Sequence, residues 1–190
     1  MALTSSERRY GLVAMTLHWL IALAIVSNFA IGLYMHELPK LKPSTIELYQ
    51  IHKSIGLTVL ALSVLRLLWR LVNPVPPLPE GLPGWERFAA RASHVLLYVL
   101  MIGIPLAGWI MVSVSPLEIP TFWFKQFQVP HLPLGAFRGE EAEEAMEVIH
   151  ASLAYAMAGL FVLHILAALR HHLILKNDVL RRMIPGTHVA

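Results

Sequence analysis

Four stretches of the chain are apolar for long enough to cross a lipid bilayer, and polar or proline-rich connections separate them. A spanning helix needs roughly 20 mainly apolar residues at about 1.5 Å each. The first stretch runs from Tyr10 to His36 without a formal charge, the second from about Ile51 to Val72, the third from about His94 to Ser115, and the fourth from Val148 to Leu169. Arg66 and Arg70 fall in the last turns of the second, where long side chains can snorkel to a headgroup layer. Asn73 and the proline-rich Pro74 to Pro79 follow and mark the exit. Pro105 lies inside the third span, where neighbouring helices can stabilise a kink. The pattern predicts an all-α membrane protein: one four-helix transmembrane bundle over 1–190, with spans at about 10–36, 51–72, 94–115 and 148–170.

The longest connection, Pro116 to Glu147, holds Phe122, Trp123, Phe124 and Phe127, which are expected at a membrane interface as an aromatic belt. The acidic residues that follow, Glu140, Glu141, Glu143, Glu144 and Glu147, have helical character and are expected to lead straight into the fourth span.

Composition agrees with lipid as the solvent: 56% of residues are hydrophobic and 14% charged, against roughly a quarter charged in soluble domains. The absence of cysteine excludes disulfides, thiolate-held iron–sulfur or zinc, and covalently attached haem. The net charge of +3 is scattered beside apolar runs rather than gathered in a patch, so no nucleic-acid partner is expected.

Charge instead reports topology. Arg8, Arg9, Arg66, Arg70, Arg87, Arg91, Arg170, Lys176, Arg181 and Arg182 fall on one side, and Lys40, Lys42, Lys53, Lys125 and Arg138 on the other, together with the acidic run. Both termini are therefore expected in the cytoplasm. The first span, longer than a signal-peptide apolar core, is read as retained.

Titratable side chains within spans are costly and need partners or a function. His18 lies about 12 Å below the cytoplasmic end of the first span and His164 about 9 Å from the same side, by helix rise. His52 and His150 open the second and fourth spans from the outer side. Two bis-histidine haems require such a set: one imidazole from each of two facing helices at one depth, His18 with His164 and His52 with His150. Fourteen residues separate His150 from His164, so they share nearly one helix face about 21 Å apart. Each histidine alone could equally hydrogen-bond a neighbouring helix, and a proton relay is the chemical alternative. One zinc ion cannot gather ligands that far apart. Met15, Met101, Met111 and Met157 are expected to pack or to face lipid.

The chain resembles bacterial cytochrome b561 in "LHWL" at 17–20, "QIHKSIG" at 50–56, "LRLLWRL" at 65–71, "NPVPP" at 73–77 and "ALRHHLILKNDVLRRMIPG" at 168–186. It is similar in plan to the cytochrome subunits of membrane-bound hydrogenase and formate dehydrogenase. The resemblance covers nearly the whole chain and implies a bundle enclosing two b-type haems in the inner membrane. Their irons would be ligated by His18, His52, His150 and His164, in the pairs that depth alone suggests. It further implies superoxide oxidation at the periplasmic side and reduction of ubiquinone.

For superoxide, Lys53 beside His52 is the first steering candidate, followed by Lys40, Lys42 and Lys125. The bland alternative for Lys53 is a snorkelling interfacial lysine. The acidic run would repel an anion unless it points away. For quinone or haem propionate, the cytoplasmic candidates are His94, His171, His172, Arg87 and Arg91. The arginines could equally be membrane anchors, and the paired histidines solvated. Gly56 is expected to admit a porphyrin, and Gly103, Gly108 and Gly159 to serve helix packing. Trp19 is expected to pack, and His36, His131 and His188 have no assigned task. Two further functions stay open: an electron-transfer subunit serving a partner dehydrogenase or periplasmic cytochrome, and a haem-free transporter or proton relay.

Overall fold

The computed structural model describes residues 2–6, 9–39, 42–79 and 81–187. Arg8, Lys40 and His188, which entered the reading of charge and histidines, lie outside the described residues. Four helices carry the fold: α1 (Leu12–His36), α2 (Pro43–Val72), α3 (Gly84–Val114) and α4 (Glu140–Leu173), each long and apolar enough to cross a membrane. The protein is a four-helix transmembrane bundle. Its buried apolar centre is small, with Ile21, Met101 and Met157 at its heart. Large side chains such as Leu23, Val95, Leu163 and Leu166 point outward instead, as lipid requires. Met15 is also buried, so Met15, Met101 and Met157 pack rather than face lipid.

Three helices extend beyond the predicted spans. Helix α2 begins at Pro43 rather than Ile51, with proline at the first helical position, where a missing N–H costs nothing. Helix α3 begins at Gly84, ten residues before His94, and carries Arg87 and Arg91 on its early turns. The acidic run forms the start of α4, as expected. Glu140, Glu141 and Glu143 occupy its first turn and Arg170 its last, each sign complementing the helix dipole, with His171 and His172 beside Arg170.

The packing order is α1 on α2, α2 on α3 and α3 on α4, with no comparably close packing of α4 against α1 or α2. That leaves a seam along α4, and the paired histidines face one another across it.

Both chain ends meet at one end of the bundle. Arg9 donates to the carbonyls of Thr187 and Ile184, Trp19 Nε1 to Met183, and Arg182 to Pro77. A two-stranded antiparallel hairpin, β1 (Thr121–Trp123) and β2 (Phe127–Val129), caps the other end. Ser54, buried on α2, locks it: its hydroxyl accepts the Phe124 N–H at 2.9 Å and is 3.0 Å from the Phe122 carbonyl. Gln50 accepts the Phe122 N–H, and Trp123 Nε1 donates to Thr58. Phe122, Phe124 and Phe127 remain exposed, as an interfacial belt demands.

Candidate functional site

At the hairpin end, His52 on α2 faces His150 on α4 with ring centres 6.1 Å apart. At the end holding the termini, His18 on α1 faces His164 on α4 at 6.3 Å. The four sequence-derived histidines thus meet in the expected pairs. A metal–imidazole bond is about 2 Å and the ring centre lies about 1.1 Å beyond the nitrogen, so two imidazoles on opposite sides of one ion have centres about 6 Å apart. Both pairs match that spacing. Among the described residues no three metal-binding side chains are positioned around a single ion.

The hairpin-end pair is held by backbone. His52 Nδ1 lies 3.2 Å from the Asn28 carbonyl and His150 Nδ1 3.0 Å from the Ile104 carbonyl. A carbonyl can only accept, so in each ring Nδ1 bears the proton and Nε2 keeps its lone pair. Each carbonyl lies four residues before a glycine, Gly32 and Gly108. Helical Cβ atoms tilt toward the N-terminus, so a side chain at either position would crowd the turn holding the carbonyl. A Cβ on Gly32 would come within 3.2 Å of His52 Cε1, and one on Gly108 within 3.1 Å of His150 Cε1. These glycines seat the imidazoles. Gly56, expected to make room for a porphyrin, would meet only Asn28 Nδ2 at 3.6 Å, an ordinary contact. Gly103 and Gly159 would meet nothing within 4 Å.

A cavity of about 840 Å³ surrounds His52 and His150, bounded by Phe29, Gly56, Trp109 and Tyr155 among others. Its polar side carries Lys53, Glu37, Glu143, Glu144 and Glu147. Three of the five residues of the acidic run, Glu143, Glu144 and Glu147, therefore face this cavity. His36 also lines it. Lys125 pairs with Glu47 at 3.3 Å on the surface, and Lys42 is exposed at the start of α2.

At the other end three histidines gather, because the His94 ring lies 5.7 Å from His164. Arg66 turns inward, Nη1 donating at 2.8 Å to the carbonyl of Ala14, one turn before His18. Arg70 lies 6.0 Å over the Tyr98 ring. These arginines, read from sequence as snorkelling, are the ones beside the histidines. Arg87 and Arg91 are exposed on α3. His171 Nδ1 accepts the Asn177 amide at 2.8 Å where α4 ends, and His172 is half-buried beside it. Trp19 packs edge-on to His18 at 5.1 Å.

Asn28, Gly32 and Arg66 were not singled out as site residues from sequence. A glycine at ligand depth on a facing helix was the available signal for Gly32, and a charge within a span for Arg66. The carbonyl of Asn28 has no sequence signature.

The family described as prokaryotic cytochrome b561 matches residues 9–186. Cytochrome b561 homolog 2 of Escherichia coli (strain K12) is 36% identical over 185 residues, covering 97% of this chain and 95% of that protein. A probable superoxide oxidase, CybB, of Yersinia pestis is 28% identical over 181 residues, covering 94% and 97%. Cytochrome b561 homolog 1 of Escherichia coli (strain K12) is 26% identical over 179 residues, covering 93% and 97%.

Proposed function

The chain belongs to the prokaryotic cytochrome b561 family, and from that premise we propose that it moves electrons across the inner membrane between two b-type haem sites, oxidising superoxide outside and reducing ubiquinone at the cytoplasmic side. Membership makes it a multi-pass membrane cytochrome of electron transport. The observation that carries the finer reading is the two facing imidazole pairs, 6.1 and 6.3 Å between ring centres.

The residues fit the cofactor. Gly32 and Gly108 leave room for the rings, and the Asn28 and Ile104 carbonyls hold two rings with Nε2 as the free ligand atom. Bound b-type haem would supply one-electron transfer between the two sites. His18 with His164, and His52 with His150, are the pairs that would each hold one haem. The basic end holding both termini is assigned to the cytoplasm by the positive-inside rule.

Two superoxide anions would each lose one electron and leave as dioxygen. One ubiquinone would gain both electrons and two protons to leave as ubiquinol. Lys53 is the cation that would draw the anion towards His52. At the cytoplasmic end, His94 beside His164 is the proposed proton source, with His171 and His172 as the route from water. Arg66 and Arg70 are placed to pair with propionate charge, and Arg87 and Arg91 to anchor the helix in the headgroup layer.

The name of the 28% identical relative supports superoxide as the donor. A second donor class is favoured by a specific observation: Glu37, Glu143, Glu144 and Glu147 share the cavity with Lys53. That excess of carboxylates suits a positively charged donor, such as a basic periplasmic cytochrome. Stopped-flow mixing of superoxide with the oxidised holoprotein, with and without a ubiquinone analogue, separates the two. Fast haem reduction followed by reoxidation by quinone is expected. Reduction no faster than superoxide dismutates would point to the protein donor.

A further inference from the structure

Beyond α4 the chain turns back across the end of the bundle and reaches α1. Lys176 takes a left-handed backbone (φ 51°) that breaks the helix direction. The Asn177 N–H donates to the His171 carbonyl at 3.0 Å and its side-chain amide to His171 Nδ1 at 2.8 Å, while its Oδ1 accepts the Val179 N–H. One 3₁₀ turn, Arg181–Met183, and a tight turn at Gly186 (φ 83°) follow. The Thr187 hydroxyl closes this segment on itself, 2.7 Å from the Arg181 carbonyl and 2.8 Å from that of Ile184. Side chains outside the segment then catch its carbonyls. Arg9 Nη1 donates to Thr187 at 2.6 Å, Arg9 Nη2 to Ile184 at 2.8 Å, and Trp19 Nε1 to Met183 at 2.8 Å.

These bonds cross the seam that the helices leave open. Helices in direct contact lie about 8–10 Å axis to axis. With ring centres 6.3 Å apart and each ring carried on its own side chain, α1 and α4 stand too far apart for that, so they must be tied without being packed. Phe29 on α1 meets Tyr155 on α4 edge-on at 5.9 Å beside the hairpin-end cavity. The returning segment supplies the tie at the His18/His164 end. That pair needs one, because no hydrogen bond engages a ring nitrogen of His18 or His164 among the described residues, whereas His52 and His150 each donate to a carbonyl. The His18 ring instead meets the edge of Trp19 at 5.1 Å, the same indole that donates to Met183. Building on the bis-imidazole haem reading above, we infer that residues 174–187 form a strap stapling α4 to α1, and that Arg9 and Trp19 are positioning residues that hold His18 opposite His164 at the spacing one metal requires. The strap acts on one pair alone, since His52 and His150 take their orientation from the Asn28 and Ile104 carbonyls.

Competition for haem by excess apomyoglobin, with low-temperature electron paramagnetic resonance of the purified holoprotein, tests the inference. Trp19→Phe keeps an aromatic ring against His18 and removes only the donor to Met183, and Arg9→Gln releases the strap from the start of α1. In both, the His18/His164 site should hold haem about 10-fold more weakly, the lower end of the effect of removing a group that orients a metal ligand. The signal remaining from that site should shift in g-value as the imidazole planes turn, and the His52/His150 signal should stay in place. Trp19→Phe carries the test alone should Arg9→Gln fail to fold. Ser54→Ala, which loosens the opposite end of the bundle, should not reproduce this selectivity. Equal weakening of both haems in the strap variants, or no change at either, overturns the inference while leaving the dihaem reading intact. Absence of low-spin haem from the native protein overturns that reading, and the inference with it.

Discussion

The rings of His94 and His164 lie 5.7 Å apart, closer than the 6.3 Å between His18 and His164. One α4 histidine therefore has two neighbours, one on α1 and one on α3. The sequence logic of matched depths selects His18 as the ligand and leaves His94 for a proton. His94→Ala is then expected to retain both haems and to slow quinone reduction by about 100-fold, the lower end of what a positioned acid contributes. Haem content and quinone-driven reoxidation of the reduced protein check it. Loss of a haem in His94→Ala but not in His18→Ala would exchange their roles.

The cavity beside His52 presents Lys53 among Glu37, Glu143, Glu144 and Glu147. The carboxylates oppose an approaching anion and Lys53 attracts it, and salt screens both over about 10 Å at 0.1 M. Reduction by superoxide is expected to accelerate with added salt and in Glu143→Gln/Glu144→Gln, and to fall on the order of tenfold in Lys53→Gln. Stopped-flow rates across ionic strength check both. A rate that falls with salt would show that Lys53 outweighs the carboxylates.

Ser54 fastens the hairpin to α2 by accepting the Phe124 N–H at 2.9 Å while donating from its hydroxyl. Ser54→Ala leaves that N–H without its partner at a buried position and is expected to cost about 1–3 kcal/mol. The readout is a lower midpoint of thermal unfolding in detergent. An unchanged midpoint would mean that Gln50 and Trp123 suffice to hold the hairpin.

The spans were legible because lipid permits only long apolar helices, and their number and order follow from hydropathy alone. Their true starts were not. Pro43 to Gln50 and Gly84 to Ser93 continue α2 and α3 beyond the apolar windows, where charged and polar residues give no transfer signal. Phe122, Phe124 and Phe127 are exposed as a belt would be, but the pairing of this cluster as a hairpin depends on Ser54 and Gln50, some seventy residues away. At the site, the four histidines and their pairing could be read from helix rise. Arg66 was read as able to snorkel, and its bond to the Ala14 carbonyl was not legible because charge near a span end looks the same whether it turns outward or inward. The Asn28 and Ile104 carbonyls belong to the backbone, which every residue type shares, so only Gly32 and Gly108 hint at them.

The central claim is that each facing pair holds one haem. Pyridine haemochrome assay of haem per chain, combined with low-temperature electron paramagnetic resonance, tests it on the native protein and on four single alanine variants. Two b-type haems per chain, both low-spin, are expected in the native protein. His18→Ala and His164→Ala should lose the same low-spin signal, and His52→Ala and His150→Ala the other. A single haem per chain, or His150→Ala removing the signal that His18→Ala removes, would contradict it.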